Sequence, residues 1–375
     1  GKMSNFEGGT VVPMMMQWNK KIKPQTNYTQ MVSLLDIVPT ILDAVESPSL
    51  SNKYDGVSLL PFLDSNIDKP HNELFWKTGY VKSIISENFK LHINEKENFK
   101  FYSIDINNQL DELVEILNDF KPEYIVNFAA QGMVAQSWET PQDWYQTNVV
   151  GQVKLHDQLR KLKFIKKYVH VTTPEAYGST DGWIKESFNF APSTPYAVSR
   201  AACDLHLMSF FKAYNFPVVF TRAANVYGPG QQLYRIIPRT MLYARLGKKM
   251  KLHGGGLSTR SFIHMDDVSA ATFKIALDGF PGDSYHISTN ETISIRGLVE
   301  KICELTKANF TELVEVSEDR LGKDQAYLLD STKLRENFIW QDKINLEQGL
   351  IDTLSWVDNN IEILKSLPAD YIHKQ

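Results

Sequence analysis

The stretch YIVNFAA (124–130) is a continuous, mostly apolar run, and it decides the fold class of the chain. A run of this kind predicts a parallel β-strand that is buried on both faces. Helical and strand-like patterns alternate on both sides of it, with helices at 107–120, 141–162 and 195–214 and strands at 168–172 and 217–221. This alternation predicts an α/β protein with a doubly wound parallel sheet that begins near residue 100.

Composition excludes several classes of function. The 375 residues include 40 Lys and Arg against 44 Asp and Glu, a net charge of −4, which argues against a general nucleic-acid binder. No apolar run approaches the ~18 residues that span a bilayer, so we expect no membrane segment. Cys203 and Cys303 are the only cysteines and no pair of histidines has helical ligand spacing, so we expect neither a disulfide framework nor a metal site. The sequence opens without the pattern of a signal peptide, which predicts a cytoplasmic protein.

The N-terminal segment of the chain shows a different pattern of apolar and polar residues. Apolar residues at helical spacing follow Ser33, a residue type that caps helices. Four β-rich runs then come in succession, and polar breaks between them predict antiparallel hairpins. They are ELFWKTG (73–79), VKSII (81–85), FKLHI (89–93) and FKFYSI (99–104). We therefore predict a small α+β segment at 1–98, an α/β domain at 99–225 and a smaller mixed α/β domain at 226–375, some of whose elements return to the main sheet.

Tyr196 and Arg200 stand four residues apart near the start of a predicted helix, so they share one helix face. Thr194 is expected to cap that helix and Pro195 to be its first residue. A cation one turn away and a helix N-terminus both favour phenolate, so the pattern predicts a lowered pKa for Tyr196. The spacing alone is weak evidence, because a half-buried tyrosine and a surface arginine give the same pattern.

The segment Thr172-Thr173-Pro174-Glu175 follows directly on a predicted parallel strand. Polar side chains at the carboxyl end of such a strand face the crevice in which α/β folds bind ligands. Thr, Pro and Glu are also common in turns, so a simple loop remains the alternative.

Ordered motifs over about 260 residues carry a resemblance to a known family. They are Asp105-Ile106, NFAAQ (127–131), TNVVG (147–151), TTPEAYG (172–178), STPYAVSR (193–200), RAANVYGPGQ (222–231), RSFIHMDDV (260–268) and DRLGKD (319–324). Together they resemble the extended short-chain dehydrogenase/reductase superfamily, in particular its nucleotide-sugar 4,6-dehydratases and epimerases. The resemblance implies an incomplete Rossmann-like sheet that binds NAD at 99–225 and a domain at 226–375 that binds a nucleoside-diphosphate sugar.

The resemblance also implies a role for individual residues. It makes Thr173 a hydrogen-bond partner of the sugar 4-hydroxyl, Tyr196 the base that removes its proton, and Glu175 the base that takes the C5 proton. The residues that would line the cofactor groove are Asp105, Ala130, Gln131, Tyr196 and Arg200. The residues that would hold the nucleotide are Asn225, Arg235, Arg260, Arg320 and Asp324. A homodimer that forms through the helix carrying Tyr196 is a further expectation.

Three departures from the family pattern bear on activity. Arg200 replaces the family's lysine, and the two side chains are not equivalent. Pro174 replaces an acid that protonates the leaving 6-hydroxyl, which keeps a plain 4-epimerase open as an alternative. No glycine-rich dinucleotide loop can be built from the glycines before residue 140, so the family's first strand, first helix and second strand are missing.

The front end resembles the C-terminal part of type I sulfatases. The matching stretches are GKMSNFEGGTVVP (1–13), LLDIVPTILDAV (34–45), YDGVSLLPFL (54–63) and ELFWKTG (73–79). Lys2 falls where sulfatases hold the leaving oxygen, but the formylglycine motif is absent. Two incomplete enzymes in one chain are typical of a chimera, whether a natural fusion, an assembly error or a deliberate construction. A nucleotide-sugar dehydratase is the main hypothesis. The alternatives are an epimerase, a non-catalytic nucleotide-sugar binder, and two fragments that do not fold by themselves.

Overall fold

The computed structural model describes residues 14–18, 22, 28, 30–46, 55–63, 69–71, 73–78, 81–86, 89–94, 100–319, 322 and 324–373. The chain divides into two compact units, residues 1–103 and residues 104–375. The sulfatase-like stretch at 1–13, which includes Lys2, lies outside the described residues. Among the described residues, no helix combines the length and hydropathy needed to cross a bilayer.

The described residues of the first unit form one α-helix and one small sheet. Helix α1 (Ile37–Ala44) follows a short 3₁₀ turn that Ser33 caps, as predicted: its hydroxyl accepts from Leu35 N at 3.2 Å. Strands β1 (Glu73–Thr78), β2 (Val81–Ser86) and β3 (Phe89–Asn94) form an antiparallel sheet in that order, so the predicted hairpins are confirmed. The fourth predicted strand is wrong. Residues 100–104 are irregular, and Phe101 is 80% exposed because no described strand pairs with this segment.

The strands described in the second unit are β4 (Tyr124–Asn127), β5 (Lys167–Thr172), β6 (Trp183–Ile184), β7 (Val218–Ala223), β8 (Asn225–Tyr227), β9 (Met250–His253), β10 (Thr259–Arg260), β11 (Phe262–His264), β12 (Ser284–Ile287), β13 (Ile293–Ser294), β14 (Val314–Ser317) and β15 (Leu328–Leu329). Four of them form the main parallel sheet, in the order β12-β7-β5-β4. The strands outside the main sheet pair two by two, as β8–β11, β9–β14, β10–β13 and β6–β15. Strand β12 lies late in the chain and returns to the main sheet beside β7.

Helices of the second unit cover the sheet and build the C-terminal part. They are α2 (Leu110–Phe120), α3 (Pro141–Tyr145), α4 (Gln152–Leu159), α5 (Pro195–Tyr214), α6 (Ile236–Leu246), α7 (Met265–Asp278), α8 (Ile295–Thr306), α9 (Phe310–Leu313), α10 (Thr332–Phe338), α11 (Leu346–Asn359) and α12 (Ile361–Leu364). The predicted strand–helix alternation and the α/β class are confirmed. The helix predicted at 141–162 is interrupted by a π-helical stretch, Gln146–Gly151, between α3 and α4.

The position of β4 corrects one expectation. Residues 124–130 were expected to form a buried strand, but the strand ends at Asn127, and Asn127 is its only buried residue. Tyr124 is 42% accessible, and Phe128, just after the strand, is 66% accessible. Among the described residues β4 pairs with β5 alone, so it is an edge strand. A strand without a second neighbour leaves its apolar side chains and one row of backbone groups uncovered.

Candidate active site

The carboxyl end of β5 supplies the first two functional side chains. Strand β5 ends at Thr172, and Thr173 caps a 3₁₀ turn, Pro174–Tyr177. The Thr173 hydroxyl accepts a hydrogen bond from Glu175 N at 3.3 Å, which fixes the start of the turn and places Glu175 within it. Both residues therefore lie at the edge of the sheet where α/β folds bind ligands, as the sequence predicted.

The start of α5 supplies the third side chain. Thr194 is the N-cap, with its hydroxyl accepting from Ala197 N at 3.1 Å, and Pro195 is the first helical residue, as predicted. Tyr196 in the first turn lies close enough to Thr173 and Glu175 for both side chains to act on the pKa of its phenol. The structure thus brings a hydroxyl, a carboxyl and a phenol together from two elements that meet at one sheet edge.

Glu175 is placed to exchange protons near neutral pH. Burial, reinforced by the neighbouring carboxylate of Asp324, raises the pKa of Glu175 to about 7, while Arg260 and Arg235 oppose the rise. Its Oε2 atom is buried and has no hydrogen-bond partner. A general base works best when its pKa lies near the working pH, so this carboxyl suits the abstraction of a weakly acidic proton.

The lowered pKa expected for Tyr196 is wrong. Burial raises the pKa of Tyr196, and the charge of Glu175 raises it further, whereas Arg200 opposes the rise. The guanidinium of Arg200 lies elsewhere: Nη2 donates to the carbonyl oxygen of Val171 and lies 3.4 Å from His170 Nε2. The i, i+4 spacing placed Arg200 on the right helix face, but its donors are directed to the end of β5.

A buried ion pair, which sequence reasoning missed, holds the Thr173 backbone. Arg222 on β7 and Asp204 on α5 are both fully buried and paired at 2.8 Å. Arg222 Nη1 also donates to the carbonyl oxygen of Thr173 at 3.1 Å, and Asp204 accepts from Thr172 Oγ1 at 2.9 Å. Arg222 opens the motif RAANVYGPGQ, so its signal was present, but its partner lies on another element.

The residues predicted to hold the nucleotide fall into two groups. Arg235, the N-cap of α6, is exposed, and its charge acts on Glu175 and Tyr196. Arg260 is instead 9% exposed and donates to the backbone carbonyls of Thr259, Gln325 and Asp324 at 2.7 to 3.0 Å. These bonds use both hydrogens of Nη1 and one of Nη2, which leaves Nε–H and one further N–H for a ligand.

Asn225 and Asp324 are tied into the same wall of the site. Tyr327, a residue that sequence reasoning missed, stacks on the Arg260 guanidinium at 4.2 Å and donates from its hydroxyl to Asn225 Oδ1 at 3.1 Å. Asp324 Oδ1 accepts from Ser193 Oγ at 2.9 Å. Arg320 lies outside the described residues, so its role stays a prediction.

Of the residues predicted to line the cofactor groove, Gln131 is connected by hydrogen bonds to the helix that carries Tyr196. The backbone of Gln131 exchanges two hydrogen bonds with the side chain of Asn148, at 2.8 and 3.0 Å. Asn148 donates onward to Ser199 Oγ at 3.0 Å, and Ser199 donates to the Tyr196 carbonyl oxygen at 2.7 Å. The loop after β4 is therefore fixed to the helix that carries Tyr196, and Asn148 is a further positioning residue that the TNVVG motif contained.

The positions of Asp105 and Ala130 do not indicate a specific role in cofactor binding. The Asp105 carboxylate is exposed and accepts hydrogen bonds from Asn107 and Asn108 in its own loop, at 2.8 and 3.0 Å. Ala130 is exposed at the mouth of the edge strand. The structure brings neither into contact with Tyr196 or Thr173, so their assignment to a cofactor stays a prediction.

A nicotinamide cofactor fits one end of this site and not the other. Arg200, on the same helix as Tyr196, has an Nη1 atom that is buried without a hydrogen-bond partner, and this atom could bind a ribose hydroxyl. The pyrophosphate end differs, because Gly132 is the only glycine between residues 100 and 150 and no glycine-rich turn can form beside β4 from those residues.

Comparison with known proteins gives consistent results. A family model described as GDP-mannose 4,6 dehydratase matches residues 55–353, a range that begins inside the predicted front segment. A human dTDP-D-glucose 4,6-dehydratase is 32% identical over 282 residues, which cover 73% of this chain and 79% of the human protein. A trifunctional UDP-glucose 4,6-dehydratase, epimerase and reductase of Arabidopsis thaliana is 32% identical over 270 residues, 71% of this chain but 40% of the plant protein.

Solved structures show the same likeness. A dTDP-glucose 4,6-dehydratase of Streptomyces venezuelae, crystallised with NAD and TYD bound, superimposes with a TM-score of 0.68 and 29% identity. The match covers 71% of this chain and 82% of that one, and it confirms the Rossmann-like parallel sheet.

Proposed function

The chain belongs to the GDP-mannose 4,6 dehydratase family, and from that premise we propose that it acts on a nucleoside-diphosphate sugar as a 4,6-dehydratase. The observation that carries the proposal is the convergence of Thr173, Glu175 and Tyr196 at the carboxyl end of β5. Two bases and one hydroxyl donor around a single ligand position are what oxidation at C4 and deprotonation at C5 require.

Each side chain has a separate task. Thr173 holds the sugar 4-hydroxyl, and Tyr196, as phenolate, takes its proton. NAD, when bound, would accept the hydride that leaves C4 and would return it to C6 after water has left, with a solvent proton added at C5. The C4 ketone acidifies the C5 proton, and Glu175 removes it. Arg200, whose Nη1 has no hydrogen-bond partner, would hold a ribose hydroxyl of the cofactor.

Loss of water needs a proton for the departing 6-hydroxyl, and Pro174 cannot provide it. A carboxyl that has just taken the C5 proton can return that proton to the oxygen on the neighbouring C6. The pKa of Glu175, raised to about 7 by burial first, allows the group to serve both as base and as acid at neutral pH. One residue then performs two steps that need two residues when an acid stands at position 174.

The test is turnover by the full chain. The purified protein is incubated with NAD and either dTDP-glucose or UDP-glucose, and the 4-keto product is measured by its absorbance in alkali. Tyr196→Phe is expected to abolish product, whereas Tyr214→Phe on the exposed end of the same helix is expected to leave it unchanged. Failure of NAD to bind at millimolar concentration would contradict the proposal.

A second function is favoured by one observation, the exposed edge at β4. A chain whose described sheet ends at β4 can bind the nucleoside-diphosphate sugar through Arg235 and Arg260 without binding NAD. Calorimetry with UDP and dTDP, in the presence and absence of NAD, separates the two. Nucleotide binding without NAD binding supports a non-catalytic binder, and the absence of nucleotide binding contradicts it.

Further features of the proposal come from the family resemblance. The sulfatase-like origin of residues 1–98 stays a prediction, and we assign that segment no chemistry.

Val198 and Leu205 on α5 are exposed, at 38% and 51%, which suits a homodimer that forms through this helix. A cytosolic location follows from the substrate, because nucleotide sugars are made in the cytosol. Light scattering of the purified chain tests the dimer.

A further inference from the structure

A short segment beyond α12 crosses from the nucleotide side of the proposed site to its cofactor side. The chain is irregular there, and we call residues 370–373 the strap. Asp370, the first residue of the strap, pairs with Arg239 on α6, the helix that Arg235 caps. His373, the last residue of the strap, contacts α3. The strap therefore connects α6 with the elements that follow β4.

Tyr371 lies within the strap and contacts both sides. Its hydroxyl donates to Gln131 Oε1 at 3.3 Å. Its ring meets the ring of Tyr234 edge-on, with 5.4 Å between the centroids. Gln131 belongs to the loop after β4, and Tyr234 directly precedes Arg235, so one side chain joins the residues assigned to the cofactor with those assigned to the nucleotide.

These two sides flank the proposed catalytic side chains. The hydrogen bonds of the Gln131 backbone connect it to the helix that carries Tyr196. The charge of Arg235 acts on Glu175 and on Tyr196. The opening between Gln131 and Tyr234 therefore leads to these side chains, and Tyr371 lies across it.

His373 fastens the end of the strap to α3. Its Nε2 lies 2.9 Å from Asp143 Oδ2, and its ring stacks on Trp144, with 5.0 Å between the centroids and 18° between the planes. The hydrogen bond with His373, and then that with Thr140, lowers the pKa of Asp143, so this carboxylate stays ionised. Ile372 is 64% exposed, so the two residues beside it hold the strap in place.

The strap contacts the rim of the site and not its centre. Among the residues that the structure describes, its hydrogen bonds, ion pairs and ring contacts involve α3, α6, Tyr234 and Gln131, and none of them involves Thr173, Glu175 or Tyr196. A segment that holds only the rim leaves the ligand position beneath it free. It can therefore close over an empty site and over an occupied one.

We propose that the strap is a gate for nucleotide exchange, which must open at Tyr371 and His373 before a nucleoside diphosphate enters or leaves. The gate rests on the proposed function, because it takes the ligand from it. A hydrogen bond and an edge-on aromatic pair each shift a local equilibrium by about two- to tenfold. We expect the closed strap to be favoured by roughly 5- to 30-fold, and exchange to be slowed by that factor in both directions.

The test is stopped-flow fluorescence of the full chain with methylanthraniloyl derivatives of UDP and dTDP, which measures association and dissociation separately. Tyr371→Ala combined with His373→Ala is expected to raise both rate constants by roughly 5- to 30-fold and to leave the Kd unchanged, because a strap that closes equally over both states shifts no affinity. Ile372→Ala is the matched control and should keep the wild-type rates. Tyr371→Phe loses only the bond to Gln131 and should raise both rate constants by a smaller factor.

Asp143→Ala releases the strap from the side of α3 without altering the strap itself. It should raise both rate constants as His373→Ala does, and the two changes together should raise them no further than either one alone, because they remove the same contact. A purely structural role of His373 does not predict this coupling in the exchange rates. Circular dichroism establishes that each variant is folded, and Asp143→Ala keeps the test available if the strap variant does not fold.

Two results would overturn the gate alone. One is nucleotide binding with unchanged rate constants in the strap variants. The other is faster dissociation without faster association, which is the pattern of a ligand contact. Absence of nucleotide binding to the wild type and to every variant would contradict the proposed substrate class and the gate with it, so the two failures are distinguishable.

Discussion

Replacement of Glu175 by glutamine removes a titratable group whose proton affinity changes on folding. Burial, with Asp324 as the next cause, raises the pKa of this carboxyl from 4.5 to about 7. The folded protein therefore holds a proton that the unfolded chain releases at lower pH. Glutamine has nearly the same shape and cannot ionise, so Glu175→Gln isolates this contribution.

The magnitude follows from the difference between the two pKa values. A raised pKa of an acid in the folded state contributes stability below pH 4.5 that is lost as the pH rises to about 7. At about 1.4 kcal/mol per pKa unit, ionisation of Glu175 costs the folded state about 3 kcal/mol above pH 7. Glu175→Gln should therefore gain about 3 kcal/mol relative to wild type between pH 4 and pH 8.

The assay is thermal unfolding of the full chain and of Glu175→Gln across that pH range. The difference in Tm between the two proteins should widen by roughly 4–5 °C from the acidic to the alkaline end. Glu139→Gln, at an exposed position, is the control and should show no such widening. A difference in Tm that stays constant with pH, or that narrows as pH rises, would refute the buried and unpaired state of this carboxyl.

Three further predictions concern the same site. Because Glu175 and Tyr196 both act when deprotonated and burial raises the pKa of each, turnover should increase with pH through 7 and be highest in alkaline buffer; a maximum below pH 6 would contradict this. Asp204→Asn leaves Arg222 as an unpaired buried charge and should lower the free energy of unfolding by about 3–5 kcal/mol in a urea titration, against less than 1 kcal/mol for the surface variant Asp157→Asn. Arg260→Ala releases three backbone carbonyls and should lower the Tm together with UDP affinity, so loss of affinity at unchanged Tm would show that Arg260 serves the ligand alone.

Local signals predicted the elements of this fold well. The helix that carries Tyr196 begins where Thr194 and Pro195 place it, because a cap and a first-turn proline act within one turn of chain. Strand β5 ends at Thr172, so the position of Thr173 could also be predicted from its neighbours in the sequence. The convergence of these side chains followed from the family resemblance and from the rule that ligands bind at the carboxyl ends of parallel strands.

Features that depend on distant partners could not be predicted in this way. The exposure of Tyr124 is set by a neighbouring strand that the described sheet lacks, not by its own sequence. The direction of the Arg200 guanidinium is set by the carbonyl of Val171. Burial, followed by the charge of Glu175, reversed the expected shift in the pKa of Tyr196, and both depend on packing that the local sequence does not show. The pairing of Arg222 with Asp204 joins different elements, so no spacing rule reveals it.

The order of the main sheet separates the two halves of the proposed reaction. Strand β5 lies between β4 and β7, and β7 lies between β5 and β12, so the strands that position Thr173 and Arg222 are covered on both sides. Strands β7 and β12 are nearly enclosed, even though β12 lies at the other edge of the sheet, whereas two of the four residues of β4 are exposed. In the proposed assignment, the residues that would bind the substrate rest on the enclosed strands, whereas those that would bind the cofactor rest on the edge strand. Nucleotide affinity should therefore survive conditions that weaken the edge, and a cofactor that binds must depend on β4 more than the nucleotide does.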